Sequence, residues 1–447
     1  MSKRLILVLT LLFVVGTTFA AFAEVQNVKV SGDIALYGIA RNNFDLGEPD
    51  PYNLGNNTKE RNRLFGTQTR LRVDADLTDN VIATVRLINE RAWNTEDNSS
   101  TDIDLDLAYV TLKEFLYSPL SLTLGRQEIR FGNQLIIGNS NNYNASVLNG
   151  FPADLSVRNA FDAIRATLNY DPLVVDFVYS KIKHKNASAD DTTGYNTSSD
   201  ADLFGVNASY DVSKKLNVQA YIWDKRSKAE NDSGTPAVNS SKKDNVYTLG
   251  ALITAKPITD LKLSLEGAWQ FGYDRVLSST NTSDKRKAYA LQAMADYTFS
   301  KVKFTPSIGA SYTYLSGPKG GKYSGWDPMY YNQVLGNIAY AILPFSNMQA
   351  IGVRGSVKPA DDVTLTGSVT NFTLVKEVSS YTSLYNNATI YTTTKKNLGN
   401  EFDLTATYDY TEDVQLGLTW GYLACGNAIA DSRGNASQVI GSMKVTF

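Results

Sequence analysis

The sequence predicts an all-β protein: a transmembrane antiparallel β-barrel of about 18 strands, with short periplasmic turns and long extracellular loops. Three observations carry that prediction. The chain opens with Lys3-Arg4, an apolar run from Leu5 to Val15 and the site Ala21-Phe22-Ala23, which reads as a secretory signal over residues 1–23. Segments of period-2 hydrophobicity then recur from Val28 onward, so residues 24–447 are expected to form one outer-membrane barrel domain. The final segment, Gly441-Ser442-Met443-Lys444-Val445-Thr446-Phe447, alternates and closes on an aromatic.

Composition agrees with strands that meet lipid on one face only. Mean hydropathy is -0.23, and beyond the leader no run approaches the roughly 18 apolar residues of a spanning helix. Tyr (26), Phe (18) and Gly (31), with many Val, Thr and Asn, favour strands and turns. The net charge is -2. Losing Lys3 and Arg4 with the leader would lower it to -4, which offers nucleic acid nothing. The lone Cys425 excludes an intrachain disulfide. His184 is the only histidine and sits among cations in Lys181-Ile182-Lys183-His184-Lys185, which keeps it neutral, with no acid near it in sequence. Neither a G-x-S-x-G elbow nor an H-E-x-x-H motif occurs. The reading is therefore no enzyme, no cofactor and no metal.

Strand by strand, the alternation assigns faces. Leu71, Val73, Ala75 and Leu77 oppose Arg70, Arg72, Asp74 and Asp76. Ile103, Leu105, Leu107 and Tyr109 are expected on the lipid face against Asp102, Asp104 and Asp106. Leu261-Leu263-Leu265 and Phe402-Leu404-Ala406-Tyr408 repeat the pattern. Short links such as Thr78-Asp79-Asn80, Asp171-Pro172 and Pro359-Ala360-Asp361 alternate with long polar ones such as 42–64, 185–200 and 227–244. Tyr109, Tyr170, Tyr210, Tyr297, Tyr408, Tyr410, Trp420 and Tyr422 fall near strand ends, where interfacial girdles lie.

Two stretches break the rhythm. Leu120, Leu122 and Leu124 share parity with Arg126, Glu128 and Arg130. A bulge near Gly125 would turn those three charges into the lumen; otherwise the strand end rises above the membrane. The following loop, 133–159, is long and carries Leu135-Ile136-Ile137, so it is expected to fold inward. The stretch 323–347 holds Trp326, Tyr330, Tyr331, Tyr340 and Phe345. It is expected to pack on itself or plug the mouth, with stacking on sugar rings as the alternative.

The stretch Thr123-Leu124-Gly125-Arg126-Gln127-Glu128-Ile129-Arg130-Phe131-Gly132-Asn133-Gln134, then Ile137-Gly138 and Arg158-Asn159-Ala160-Phe161-Asp162-Ala163-Ile164-Arg165, resembles the alginate export family of outer-membrane porins. The segments Gly399-Asn400-Glu401-Phe402-Asp403-Leu404 and Gly421-Tyr422 are similar to that family's closing strands. The resemblance implies an eighteen-stranded porin. Asn133 and Leu135 stand where it implies an Asp and an Arg.

A pore acts through the field of its lining, so the lumen charges are the candidate site. Parity places Arg70, Arg72, Asp74, Arg86, Asp104, Asp106, Arg165 and Arg354 inside, and a bulge would add Arg126 and Arg130. The guanidinium forks suit carboxylates, which points to passive diffusion of an anionic solute such as a sugar acid or polyuronate. A general or cation-preferring pore, and a plugged barrel acting as scaffold or adhesin, are the alternatives. Expected partners are outer-membrane lipid, the solute, and the barrel-assembly machinery through Phe447, with the chain a monomer.

Overall fold

The computed structural model describes residues 27–46, 61–94, 103–140, 150–183, 200–228, 244–275, 283–318, 325–382, 384, 389–429 and 434–447. The expected leader and His184 lie outside them. Eighteen antiparallel strands form one sheet. In chain order they are β1 (Asn27–Asn42), β2 (Arg61–Thr78), β3 (Val81–Ala92), β4 (Asp104–Leu112), β5 (Leu120–Glu128), β6 (Ala160–Asn169), β7 (Leu173–Lys183), β8 (Asp200–Ser213) and β9 (Leu216–Lys228). There follow β10 (Asp244–Ala255), β11 (Leu261–Arg275), β12 (Ser283–Thr298), β13 (Ser307–Leu315), β14 (Met348–Ala360), β15 (Val363–Leu374), β18 (Asn397–Asp409), β19 (Val414–Cys425) and β20 (Ala436–Thr446). A small hairpin, β16 (Ser380–Thr382) with β17 (Thr389–Tyr391), lies in the β15–β18 loop.

Each barrel strand pairs with its neighbour, and β20 pairs with β1 in the register Ile39 to Ile440 and Asp33 to Thr446. Closure leaves no strand edge, the condition for a sheet in hydrocarbon, where water cannot satisfy the backbone. At the seam Gly32 N–H donates to the Phe447 carbonyl at 2.8 Å, and Phe447 N–H donates to the Gly32 carbonyl at 3.0 Å. A Cβ on Gly32 would stand 2.5 Å from the Arg70 carbonyl and 2.7 Å from the Phe447 ring, so the close approach requires glycine there.

The outward face carries Leu71, Val85, Leu105, Ile164, Phe177, Leu249, Leu265, Ile351 and Leu404, all exposed. So large an apolar surface is stable against lipid, not water. The lumen face holds charges such as Asp33, Arg86, Asp176 and Glu266, all buried. β4 corrects one expectation: its register shifts opposite Arg86 and Leu87, where Asp106 is the extra residue. Leu105 points out as expected, but Leu107 is buried inside and Tyr109 lines the lumen, where its hydroxyl meets an Arg72 N–H at 3.5 Å. The girdle position expected for Tyr109 is therefore not taken.

The extracellular half of the barrel has a core. The chain leaving β5 turns inward, as the apolar residues of this loop predict, and buries Ile129, Leu135, Ile136 and Ile137. The β13–β14 connection also enters, with a short helix α1 (Asn337–Ile342). The two loops meet in a parallel bridge between Ile137 and Tyr330. Tyr330 N–H donates to the Ile136 carbonyl at 2.9 Å, and the Gly138 and Asn139 N–H groups donate to the Tyr330 carbonyl at 2.7 and 3.0 Å. Trp326, Tyr330, Tyr331 and Phe345 are buried with wall residues such as Trp223, Leu315, Phe372 and Leu423. The expectation of a loop packed on itself within the mouth describes this stretch. Tyr331 and Phe345 stack with centroids 4.0 Å apart, so those faces serve each other.

Candidate functional site: the charged lumen and its inward loops

Strand parity positions the lumen charges, and cross-strand register sets which of them meet. Arg70 faces Asp33 of β1 and bonds it through Nε at 2.9 Å and Nη2 at 2.7 Å. Arg72 forks onto Asp74 of its own strand at 2.7 and 2.8 Å, and the Thr84 hydroxyl donates to the same carboxylate at 2.7 Å. Arg86, nearly buried, stands directly opposite Arg72 across the β2–β3 pair. Like charges so placed repel, and carboxylates between them are the compensation. Arg86 donates to Asp106 at 2.6 Å and to Glu128 at 2.5 Å, and Arg130 reaches Glu128 at 3.3 Å. On β6, Arg165 donates to Asp176 at 2.8 Å, and the Thr167 hydroxyl adds 2.6 Å. Arg354, across the lumen on β14, donates through Nε to Asp296 at 3.0 Å. Asp104 pairs with Arg158.

Arg126 departs from its expected place. Gly125 does adopt a φ of +120°, yet pairing to β4 and β6 runs through it without a shift. Arg126 therefore keeps the outward parity of Leu124 and pairs with Asp162 of β6 at 3.2 Å, outside the lumen. Glu128 stays paired with Ala160 of β6, yet beyond the last β4 pair, at Arg126, its carboxylate reaches Arg86 of β3. The other expected residues, Arg70, Arg72, Asp74, Arg86, Asp104, Asp106, Arg130, Arg165 and Arg354, lie on the lumen side.

Anchors of the inward loops escaped the sequence reading. Arg41 of β1, buried, clamps Asp154 of the first loop at 3.0 and 2.5 Å. Glu90 of β3 accepts from Ser156, from the Val157 N–H and from Arg158 at 2.7, 2.9 and 3.0 Å. Asn133 donates to Ser264 of β11 at 2.8 Å, and Leu135 is fully buried. The second loop is held by Lys225 on Asp327 at 2.9 Å and by Gln270, which both donates to and accepts from the Asp327 backbone at 2.8 Å. Glu401 of β18 accepts from the Ile338 and Ala339 N–H groups at 2.5 and 2.8 Å, filling the orphan donors at the start of α1. Arg41 shares the inward parity of Asp33 and Glu401 that of Asp403, but only the folded loops reveal what they hold.

Burial raises the Asp327 carboxyl, but the Lys225 and Arg286 charges outweigh it and hold the group below the usual range. Burial pushes the Tyr330, Tyr331 and Tyr340 hydroxyls above theirs, so all three stay neutral. Beside the second loop, a lumen recess of about 340 Å³ is lined by Asn133, Gln292, Asn332, Gln333, Ser368 and Arg354, among others. Amides and hydroxyls dominate its polar groups, with Arg354 supplying the charge. The lumen can thus hydrogen-bond a hydroxylated solute and attract an ionic one.

A closed even-stranded barrel with an apolar exterior, a charged interior and loops folded into its mouth defines an outer-membrane porin. The chain belongs to the alginate export family, whose model matches residues 48–442. No curated protein matches it. Among solved structures it is similar to Pseudomonas aeruginosa OpdO, at 10% identity and TM-score 0.57 over 95% of this chain and 98% of that one. It is also similar to P. aeruginosa OpdQ, at 14% identity and TM-score 0.55 over 95% and 98% of the two chains. Acinetobacter baumannii OccAB2 gives 10% identity and TM-score 0.55 over 95% and 99%. At these identities the likeness is one of fold. The protein resides in the Gram-negative outer membrane.

Proposed function

We propose that this porin passes hydrophilic, anionic solutes of the sugar-acid or polyuronate kind by passive diffusion. The observation that carries the reading is the guanidinium wall, with Arg72 directly opposite Arg86, Arg70 beside them and Arg165 on β6. Side chains of Arg72, Arg130 and Arg165 are 35%, 47% and 28% exposed, so donors remain for a passing carboxylate. The carboxylates that hold each fork also limit its attraction, which favours release. The polar recess at Arg354 would accept the hydroxyls of such a solute. One observation favours a general or cation-preferring pore instead: every one of these lumen arginines already has a carboxylate partner.

Single-channel conductance of refolded protein in planar bilayers, under a salt gradient, separates the readings. An anion-selective reversal potential and block by a short polyuronate support the proposal. Cation selectivity makes the arginines structural. A silent bilayer sinks transport and leaves a plugged scaffold.

A further inference from the structure

The outward face of the barrel carries charge where a lipid-facing surface gains nothing from it, and the charge is unevenly spread. Toward the extracellular ends, β5 and β6 present Arg126 and Asp162, β7 and β8 present Lys181 and Asp202, and β9 presents Asp224 with Arg226. Those cations are each matched by an acid. Arg61 and Arg63 on β2 and Lys285 and Lys287 on β12 are not: they are exposed and form no ion pair among the described residues. On β14, β15, β18 and β20 the equivalent positions are Gln349, Asn371, Asn400 and Ser437, without charge.

The unmatched cations also share a height. Arg63 and Arg61 follow Phe65 along the outward face of β2, and Phe65 stacks on Trp93 with centroids 5.3 Å apart. Lys287 and Lys285 lie just beyond Tyr289, which stacks on Tyr314 at 5.5 Å. Aromatic rings of this kind sit at the membrane–water boundary. Successive same-face strand residues are about 6.6 Å apart. The four cations therefore stand at the level of lipid headgroups, directed away from the pore.

We propose that these outward ends of β2 and β12 dock the phosphate groups of outer-leaflet glycolipid. Guanidinium forks and ammonium groups are the donors that phosphate oxygens take, and at the headgroup level they compete with little free water. At the strand positions just named the arc from β13 to β20 carries no charge; its exposed cations Lys376, Lys395 and Lys396 stand beyond the strand ends, in the β15–β18 connection. The surface plays no part in the solute pathway, so it stands or falls apart from the pore's selectivity.

The test titrates the full refolded chain, in uncharged detergent micelles, with diphosphoryl lipid A and with the same lipid dephosphorylated, read by native mass spectrometry. The phosphorylated lipid is expected to bind at least about tenfold tighter, and Arg61→Gln/Arg63→Gln/Lys285→Gln/Lys287→Gln to lose about that factor. Gln349→Ser/Asn371→Ser should bind as the parent does, and Arg61→Lys/Arg63→Lys should keep most of the affinity. Compactness on unheated SDS gels identifies folded variants, and Lys285→Gln/Lys287→Gln alone carries the test if the fourfold variant does not fold. Equal binding of the two lipids, or no loss in a folded charge variant, overturns the proposal. So does full displacement by millimolar inorganic phosphate, which would make the cations a site for free anions.

Discussion

At the residue scale the lumen arginines differ in what they protect. Arg86 lies between Asp106, whose side chain is fully buried, and Glu128. Arg86→Ala would leave the Asp106 carboxylate uncompensated, and an expected loss of about 3 kcal/mol should appear in equilibrium urea unfolding. Arg354 is half exposed on Asp296, and water screens the pair, so Arg354→Ala should cost no more than about 1 kcal/mol. Equal losses in the two variants would mean that burial does not rank these pairs. Conductance should sort them differently. Arg72→Ala and Arg165→Ala remove partly exposed cations from the wall, and each should move the reversal potential toward cation selectivity while leaving the fold intact. An unchanged potential in both would make the wall structural. Parity made these residues legible as lumen charges from sequence; their pairing needed register, since Arg70 and Asp33 are 37 positions apart.

At the element scale the inward loops are the decisive feature. Their apolar composition announced that they must pack somewhere, because Leu135, Ile136 and Ile137 cannot remain in water in a row. It could not say on what. The walls supply the anchors, and Lys225–Asp327 is the one that titrates in a useful way. The Asp327 pKa is depressed in the folded protein. The anchoring it provides is fully present above the unfolded value near pH 3.9 and is lost as pH falls through the lower folded value. The second loop should therefore stay closed at neutral pH and loosen only in strong acid. Asp327→Asn should mimic that loosening at neutral pH, as noisier and larger single-channel currents. Currents identical to the parent's would show that Gln270 and the packing of Trp326 and Tyr330 hold the loop unaided. The β5 strand teaches the opposite lesson. Its parity conflict was visible in sequence, yet the inward turn expected for Arg126 did not follow, because hydrogen bonds to two neighbouring strands kept one register through Gly125.

At the scale of the whole molecule, closure governs stability. The seam depends on Gly32, whose missing side chain lets the Phe447 ring and the Arg70 carbonyl approach. Gly32→Leu should prevent the last strand from seating, seen as loss of the compact, heat-modifiable band on SDS gels and of conductance. A variant that still closes would show that Phe447 can move aside. Closing the barrel also explains why so much of the fold was readable. Every strand must show lipid one face and water the other, so alternation, strand number and the order of short and long connections are imposed by the surroundings and written in the sequence.

What the sequence by itself determined is the barrel, its eighteen strands, its sided connections and the lumen position of most of its charges, because period-2 patterning against lipid leaves one solution. Only the tertiary structure decided the rest. The bulge at Asp106 reversed Leu107 and Tyr109, the unshifted register held Arg126 outside, and Arg41, Glu90, Lys225 and Glu401 became loop anchors. Each depends on a contact between segments far apart in the chain, where local alternation carries no information about which partner arrives.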